Sequence, residues 1–387
     1  MAKPTPLPRF CVFCGKPPQD KNNEHVLPQW LLEATGDPNR VVQIGHNYDA
    51  NKPIRFAWDA LVMPACKTCN DEFGRGLEQR VKPVVERLLD RQPLSAGDYV
   101  LLLDWLDKVR IGLWLNYMVL QKFHSGVTPN FHIRDRIGTK DRMLSVYPFD
   151  SQPRGLNAIG VESLLFHHTP CCFTLRVNDL MIFNMSGDFL FADRCGFPAS
   201  KSVAYIGDGP NAGRMQLGAF VTKRATKQRL FLPRLIKPAV QLYQPILCRH
   251  PAKPDEFLGD ASKADPYLAR YVADWTSGQG VLFRQYDRHV TKLTKPTDLV
   301  AFDAVTGNDC RPAGYISAQT YDLQCTITER QRHVVKDQKK LARFQQDVAG
   351  MIKLNRDWAE LLRNTTGPNW RAKLIEMQTR LSASGER

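Results

Sequence analysis

Two pairs of cysteines are spaced to grip a single metal ion. Cys11-Val12-Phe13-Cys14-Gly15 and Cys66-Lys67-Thr68-Cys69-Asn70 are both C-x₂-C runs. Each pair forms a knuckle presenting two thiolates, and two knuckles complete the tetrahedral four-sulfur set that zinc takes in structural sites. A small module with few strands has little core, so the metal supplies folding free energy that packing cannot. Chance cysteines or a redox C-x-x-C are the competing readings. The 51 residues between Cys14 and Cys66 exceed what a minimal zinc ribbon needs, so they must fold into something of their own. Cys171, Cys172, Cys195, Cys248, Cys310 and Cys325 are scattered and read as small buried hydrophobes.

Inside that loop lies Asn22-Asn23-Glu24-His25-Val26-Leu27-Pro28-Gln29-Trp30, and Asn70 directly follows the second cysteine pair. A Glu beside a His means little alone, because buried structural histidines are common. The order of the elements says more: C-x₂-C, an acidic residue then His with Pro three residues on, then C-x₂-C-N. In this the chain resembles the zinc-containing branch of the HNH endonuclease family. The resemblance is carried by Cys11, Cys14, Glu24, His25, Pro28, Cys66, Cys69 and Asn70, with Phe73-Gly74 in the early helix, and it spans about residues 9–80.

The resemblance implies a ββα-metal nuclease module with two metals. The four cysteines hold a structural Zn²⁺. His25 acts as general base, taking a proton from the attacking water, a task suited to an imidazole. Glu24 and Asn70 supply hard oxygen ligands to one catalytic Mg²⁺ or Mn²⁺. Adjacent residues of an extended strand point opposite ways, so Glu24 and His25 can serve different sides of a scissile phosphate. The expected products carry a 5′-phosphate and a 3′-hydroxyl. The chain departs from the family pattern at Leu61, where many members have Asn, and at Phe73 and Gly74, where many have His or Lys. Arg75 and Arg80 are candidate phosphate contacts, against the alternative of a solvated helix face. Asp71 and Glu72 suit a helix start, His46 suits a turn, and Trp30 suits packing behind the active strand.

The elements that must position these residues can be read from periodicity. Strand-like runs occur at Arg40 to Ile44 and Ile54 to Trp58, and a helix is predicted from Lys67 to Leu89. A second helix, Gly97 to His124, is apolar on several sides, as expected of a connector sandwiched between layers. β-like runs follow at Met143 to Tyr147, Phe173 to Val177, Leu180 to Met185, Phe189 to Ala192, Met215 to Val221 and Val281 to Phe283, with a short helix at Pro266 to Trp275. His250 to Asp265 reads as an exposed loop. From Ile327 the chain is helical and basic, with an apolar stripe of Leu341, Phe344, Val348 and Ile352, continued by Trp358, Leu361 and Leu362. The fold class is therefore α+β: a nuclease module (1–90), a connector helix (91–127), a mixed α+β substrate-binding or regulatory domain (128–327) and a helical tail (328–387).

The 387 residues are 43% hydrophobic and 10% aromatic, which places the chain among folded proteins of more than one unit. The formal charge of +14 favours an anionic partner. Residues 1–90 hold 12 basic against 11 acidic residues, so almost all of that excess lies beyond the motifs. The tail, 13 basic to 7 acidic over residues 329–387, suits a solvated face, packing on the core, a homodimer or contact with nucleic acid. No signal-peptide stretch or membrane span stands out, so a cytoplasmic protein without membrane contact is expected. The leading functional reading is a nuclease on double-stranded DNA. Its rivals are a zinc-stabilised nucleic-acid-binding protein without catalysis, and a defence effector silent until a regulatory partner or ligand acts on the C-terminal region.

Overall fold

A short antiparallel pair carries the Glu-His dipeptide. In the computed structural model, β1 (Asn22–His25) runs against β4 (Val62–Ala65), with Glu24 opposite Met63 and His25 opposite Val62. The structure describes residues 9–20, 22–47, 52–120, 129, 131–149, 154–187, 190, 237–245, 280–286, 289–304, 311–331 and 338–364, and short strands between 198 and 257. Pro28, extended and without an N–H, ends the first strand's path and caps α1 (Gln29–Ala34). The hairpin β2 (Val41–Asn47) and β3 (Lys52–Ala57) and a 3₁₀ turn at Trp58–Ala60 lead back to β4.

From Cys66 the chain turns into α2 (Lys67–Phe73), passes through one π-helical turn at Gly74–Glu78 and continues as α3 (Gln79–Leu89). This is the predicted Lys67–Leu89 helix, interrupted by an inserted turn of the kind often found at functional sites. Val81, Val84, Val85 and Leu88 bury its inner face at helical spacing.

β5 (Leu94–Ser95) leads into α4 (Ala96–Leu120). Ser95 and Asp98 cap that helix reciprocally: the Asp98 carboxylate accepts from Ser95 N–H at 3.0 Å, and Ser95 Oγ accepts from Asp98 N–H at 3.1 Å. As expected of a connector, α4 is buried on all sides, with Tyr99, Leu102, Trp105, Leu106, Val109 and Trp114 in the core. One continuous apolar cluster joins the cysteine module, α4 and one face of the main sheet.

After α5 (Ile133–Arg136) come β6 (Asp141–Pro148), β7 (Leu156–Ile159), α6 (Leu164–His168), β8 (Cys172–Val177) and β9 (Leu180–Gly187). Short pairs follow: β10 (Pro198–Ser200) with β13 (Phe220–Thr222), and β11 (Val203–Tyr205) with β12 (Met215–Leu217). β14 (Val240–Gln244) rejoins the sheet, β15 (Arg249–His250) pairs with β16 (Lys253–Phe257), and β17 (Phe283–Tyr286) pairs with β18 (His289–Lys292). The main sheet is antiparallel throughout, in the order β18-β17-β14-β6-β9-β8-β7. A last strand, β19 (Leu299–Val300), pairs with β5 and ties the sheet's far edge to the start of α4. Leu144, Val146, Ile182 and Leu242 face α4, while the alternate residues Met143, Phe183 and Tyr243 pack with Ile316, Leu323 and Ile327 of α7 (Arg311–Gln331). α8 (Gln338–Asn364) lies on α7, burying Val348 and Ile352 against Leu165 and Cys325. Val348 and Ile352 of the predicted stripe are thus spent within the chain.

The protein is mixed α+β, as expected, and several elements differ from their predicted extents. The run 215–221 is two strands, and the strand expected at 281–283 is β17, two residues later. The loop expected over 250–265 holds β16, whose backbone pairs despite Pro254 and Asp255. α7 begins at Arg311, earlier than the helical tail expected from 327, and β7, β14 and β18 were not expected. The run 189–192 apart from Leu190, the helix at 266–275 and the last residues of the predicted 97–124 helix lie outside the described residues. Cys171, Cys172 and Cys325 are buried and free, while Cys195, Cys248 and Cys310 also lie outside. Among the described residues no helix is long and apolar enough to cross a membrane.

Candidate metal centre and its neighbours

The two C-x₂-C pairs meet. The sulfurs of Cys11, Cys14, Cys66 and Cys69 all lie within 4.8 Å of one another. Gly15 makes the first knuckle possible, since its φ of +73° is costly for any residue with a Cβ. Its N–H donates to Cys11 O at 2.8 Å, and Cys11 N–H donates to Lys16 O at 2.8 Å. The second knuckle opens α2, and Asn70 N–H donates to Cys66 O at 2.9 Å.

Three donors point at the sulfurs. Cys66 N–H approaches Cys11 Sγ at 3.3 Å, Gln19 N–H approaches Cys66 Sγ at 3.3 Å, and Arg134 Nη2 approaches Cys69 Sγ at 3.7 Å. Without a cation such a quartet resists ionisation: burial, then the nearby Cys11 and Cys14 sulfurs, push the Cys69 thiol up to about 12. Four converging soft donors, with N–H groups placed to stabilise thiolates, fit Zn²⁺. The α5 segment buttresses the centre. Ile133 and Arg134 N–H groups donate to Val12 and Phe13 carbonyls at 3.1 and 3.0 Å, and Arg134 also pairs with Glu72 at 2.6 Å. Phe73 stacks on Phe13 with ring centres 4.3 Å apart and so packs against the first knuckle.

β1 and β4 followed by α2 bring the three expected catalytic residues into one neighbourhood. Asn70 Nδ2 donates to Asn23 O at 3.4 Å, setting it beside the strand of Glu24 and His25. That strand alternates as the expectation required, with Glu24 buried at 6% exposure and His25 half-buried. The His25 ring makes no hydrogen bond with any described residue. Leu61, read from the sequence as a departure from the HNH pattern, is in the core. Its carbonyl accepts from Val26 N–H at 3.0 Å and fixes the end of β1.

The unexpected member is Lys108 of α4, fully buried. Its Nζ is 2.5 Å from Glu24 Oε1 and 2.6 Å from Glu78 Oε1, and it donates to the carbonyls of His25 and Val26 at 3.0 and 3.1 Å. Burial pulls the ammonium's pKa down, but Glu24 and Glu78 more than offset this and hold it above its ordinary value. Burial raises the Glu24 carboxyl above its ordinary range, with Glu78 adding to the rise and Lys108 opposing it. Glu78 arrives through the π-helical turn. No spacing rule links residues 24, 78 and 108, and the one sequence signal was the Lys108 charge within the largely apolar α4.

The remaining expected residues sit at the periphery. Arg75 and Arg80 are exposed and donate back to Asp71 O and Gly76 O on their own helix at 3.3 and 3.4 Å. Asp71 pairs with Lys67 at 2.9 Å. Trp30 packs near Trp105 with ring centres 6.1 Å apart. His46 lies on β2 with its Cα opposite Pro53. Compared with family models, curated proteins and solved structures, the chain matches none.

Proposed function

We propose that the chain is a zinc-stapled, metal-dependent HNH-type endonuclease acting on DNA. The observation that carries this reading is the meeting of Asn70, on the helix that starts from the second cysteine pair, with the strand bearing Glu24 and His25. The zinc staple fixes that helix against the strand. His25, on the more open side of the strand, accepts a proton from water. Glu24 and Asn70 hold a divalent ion, with Lys108 orienting the Glu24 carboxylate through Oε1. Bound Mg²⁺ or Mn²⁺ supplies charge neutralisation at the phosphate. Arg75 and Arg80, exposed on the same helical run, are placed to meet backbone phosphates.

The test is cleavage of plasmid DNA and of RNA with Mg²⁺ or Mn²⁺ by wild type and by His25→Ala. Metal-dependent cutting by wild type and its loss in the variant are expected. Equal cutting by both rejects the catalytic assignment, and none by wild type under every metal rejects a constitutively active nuclease. One observation favours a second reading, in which the module binds nucleic acid without cutting it: Lys108 engages Glu24 so closely that the carboxylate has a structural use already. Cleavage by wild type that Glu24→Gln abolishes supports the first reading, and nucleic-acid binding by a wild type that never cuts supports the second. The effector reading predicts a purified protein that stays silent until a partner or ligand is added.

A further inference from the structure

The outermost hairpin of the main sheet carries an aromatic ring on open surface. β17 and β18 set Tyr286 opposite His289 and Arg284 opposite Thr291, so these four side chains share one face. On the next strand Leu242, opposite Arg284 on that same face, is fully in the core. The face thus passes from core to surface within two strands, and Tyr286 emerges 52% exposed. An exposed tyrosine alone is unremarkable. This one has two cations beside its ring, Lys237 Nζ at 5.1 Å and Arg284 Cζ at 5.7 Å from the centre. Asp303 steadies Arg284 at 2.8 Å. Lys292 and Lys295 are exposed on the same hairpin and its exit. Lys237 ends a fifteen-residue run, 223–237, that holds six lysines and arginines and no acidic residue.

We infer that this patch binds an unpaired stretch of nucleic acid, one base stacking on Tyr286 and the adjoining phosphates meeting Lys237 and Arg284. Ring and cations together are the combination that holds single strands. In a duplex the base faces are already covered by their neighbours, so the ring adds affinity only where bases are unpaired. An acidic peptide would satisfy the cations but gain nothing from the ring face, which is electronegative.

The test is fluorescence anisotropy of labelled thymidine and uridine oligonucleotides, and of a duplex of matched length, with full-length protein and no added divalent metal, so that cleavage is silent. Expected are tighter binding of the single strands than of the duplex and about a tenfold loss with Tyr286→Ala. Tyr286→Trp should retain binding, and Lys237→Ala should lower the salt dependence. The DNA and RNA arms show which sugar is preferred. Single-strand binding unchanged by Tyr286→Ala, equal affinity for duplex, or displacement by polyglutamate as effective as by oligonucleotide overturns the inference. His25→Ala should bind like wild type. Binding that needs Tyr286 in a protein that never cuts would sink the nuclease reading and leave this surface standing, and cutting without Tyr286-dependent binding would do the reverse.

Discussion

Lys108 and Glu24 form a buried ion pair, Nζ to Oε1 2.5 Å, between the connector helix and the strand that also carries His25. The same ammonium holds the carbonyls of His25 and Val26, so one side chain fixes both the carboxylate and the backbone of the candidate active strand. α4 carries a second set of buried charges toward the sheet: Asp107 pairs with Arg110 at 2.6 Å and with Arg142 at 3.0 Å.

Replacing Lys108 by Met leaves Glu24 and Glu78 facing each other without a cation. Breaking a buried pair in this way costs about 3–5 kcal/mol, which urea denaturation would read as a lower midpoint with unchanged slope. The triple variant Lys108→Met, Glu24→Gln, Glu78→Gln has no stranded charge and should recover most of that loss. Under the proposed nuclease function it should nevertheless fail to cut, because Glu24 is then no longer a carboxylate. A Lys108→Met protein as stable as wild type would show that the pair contributes nothing.

The cysteine quartet predicts one zinc ion per purified chain, measured by elemental analysis. Cys69→Ser should lose the ion and lower the melting temperature, because the strand of Glu24 and the helix of Asn70 are joined through it. Arg134→Met, which removes the donor to Cys69 Sγ, should weaken zinc affinity by roughly tenfold or more while preserving the stoichiometry. A zinc-free wild type with an unchanged melt would reject the site.

What was legible in the sequence was local. Two C-x₂-C spacings and the apolar periodicity of residues 67–89 and 97–120 are set by neighbours a few positions apart, and the structure keeps them. β14 escaped because Gln241 and Gln244 interrupt its apolar pattern. Both are buried and engage residues far along the chain: Gln241 Oε1 accepts from Ser145 at 2.7 Å, and Gln244 Oε1 accepts from Arg142 at 2.7 Å. Lys108, Glu78 and Arg134 escaped for the same reason. Their meaning lies in partners 30 to 83 residues away, and a charge within a helix gives no address for its partner. Glu24, His25 and Asn70 were singled out only through an order of elements that resembles the HNH pattern.

Gly15 cannot be replaced cheaply. Beyond its positive φ, a Cβ built there would lie 2.4 Å from the His132 ring. Gly15→Ala should destabilise by about 1–3 kcal/mol from backbone strain, with the clash in addition. Gly15→Ala in a His132→Ala background removes the clash and leaves the strain, so the penalty there should be smaller. Equal penalties in both backgrounds would mean that the His132 ring moves aside freely.

His167 should make the fold acid-labile. It is buried, its ring centre 3.8 Å from that of Tyr117, and its carbonyl accepts from Trp114 Nε1 at 2.8 Å. Burial, opposed only weakly by a backbone hydrogen bond to Val161, lowers its pKa to about 3. The sign follows from proton uptake: above about pH 6.5 the imidazole is neutral in both folded and unfolded chains and contributes no pH dependence. Between about pH 6.5 and 3 only the unfolded chain binds the proton, so stability falls by up to about 1.4 kcal/mol per pH unit. His167→Phe keeps a ring beside Tyr117 and removes the titration. Its urea midpoint should decline less steeply than that of wild type between pH 6.5 and 4, and parallel declines would place the acid sensitivity elsewhere.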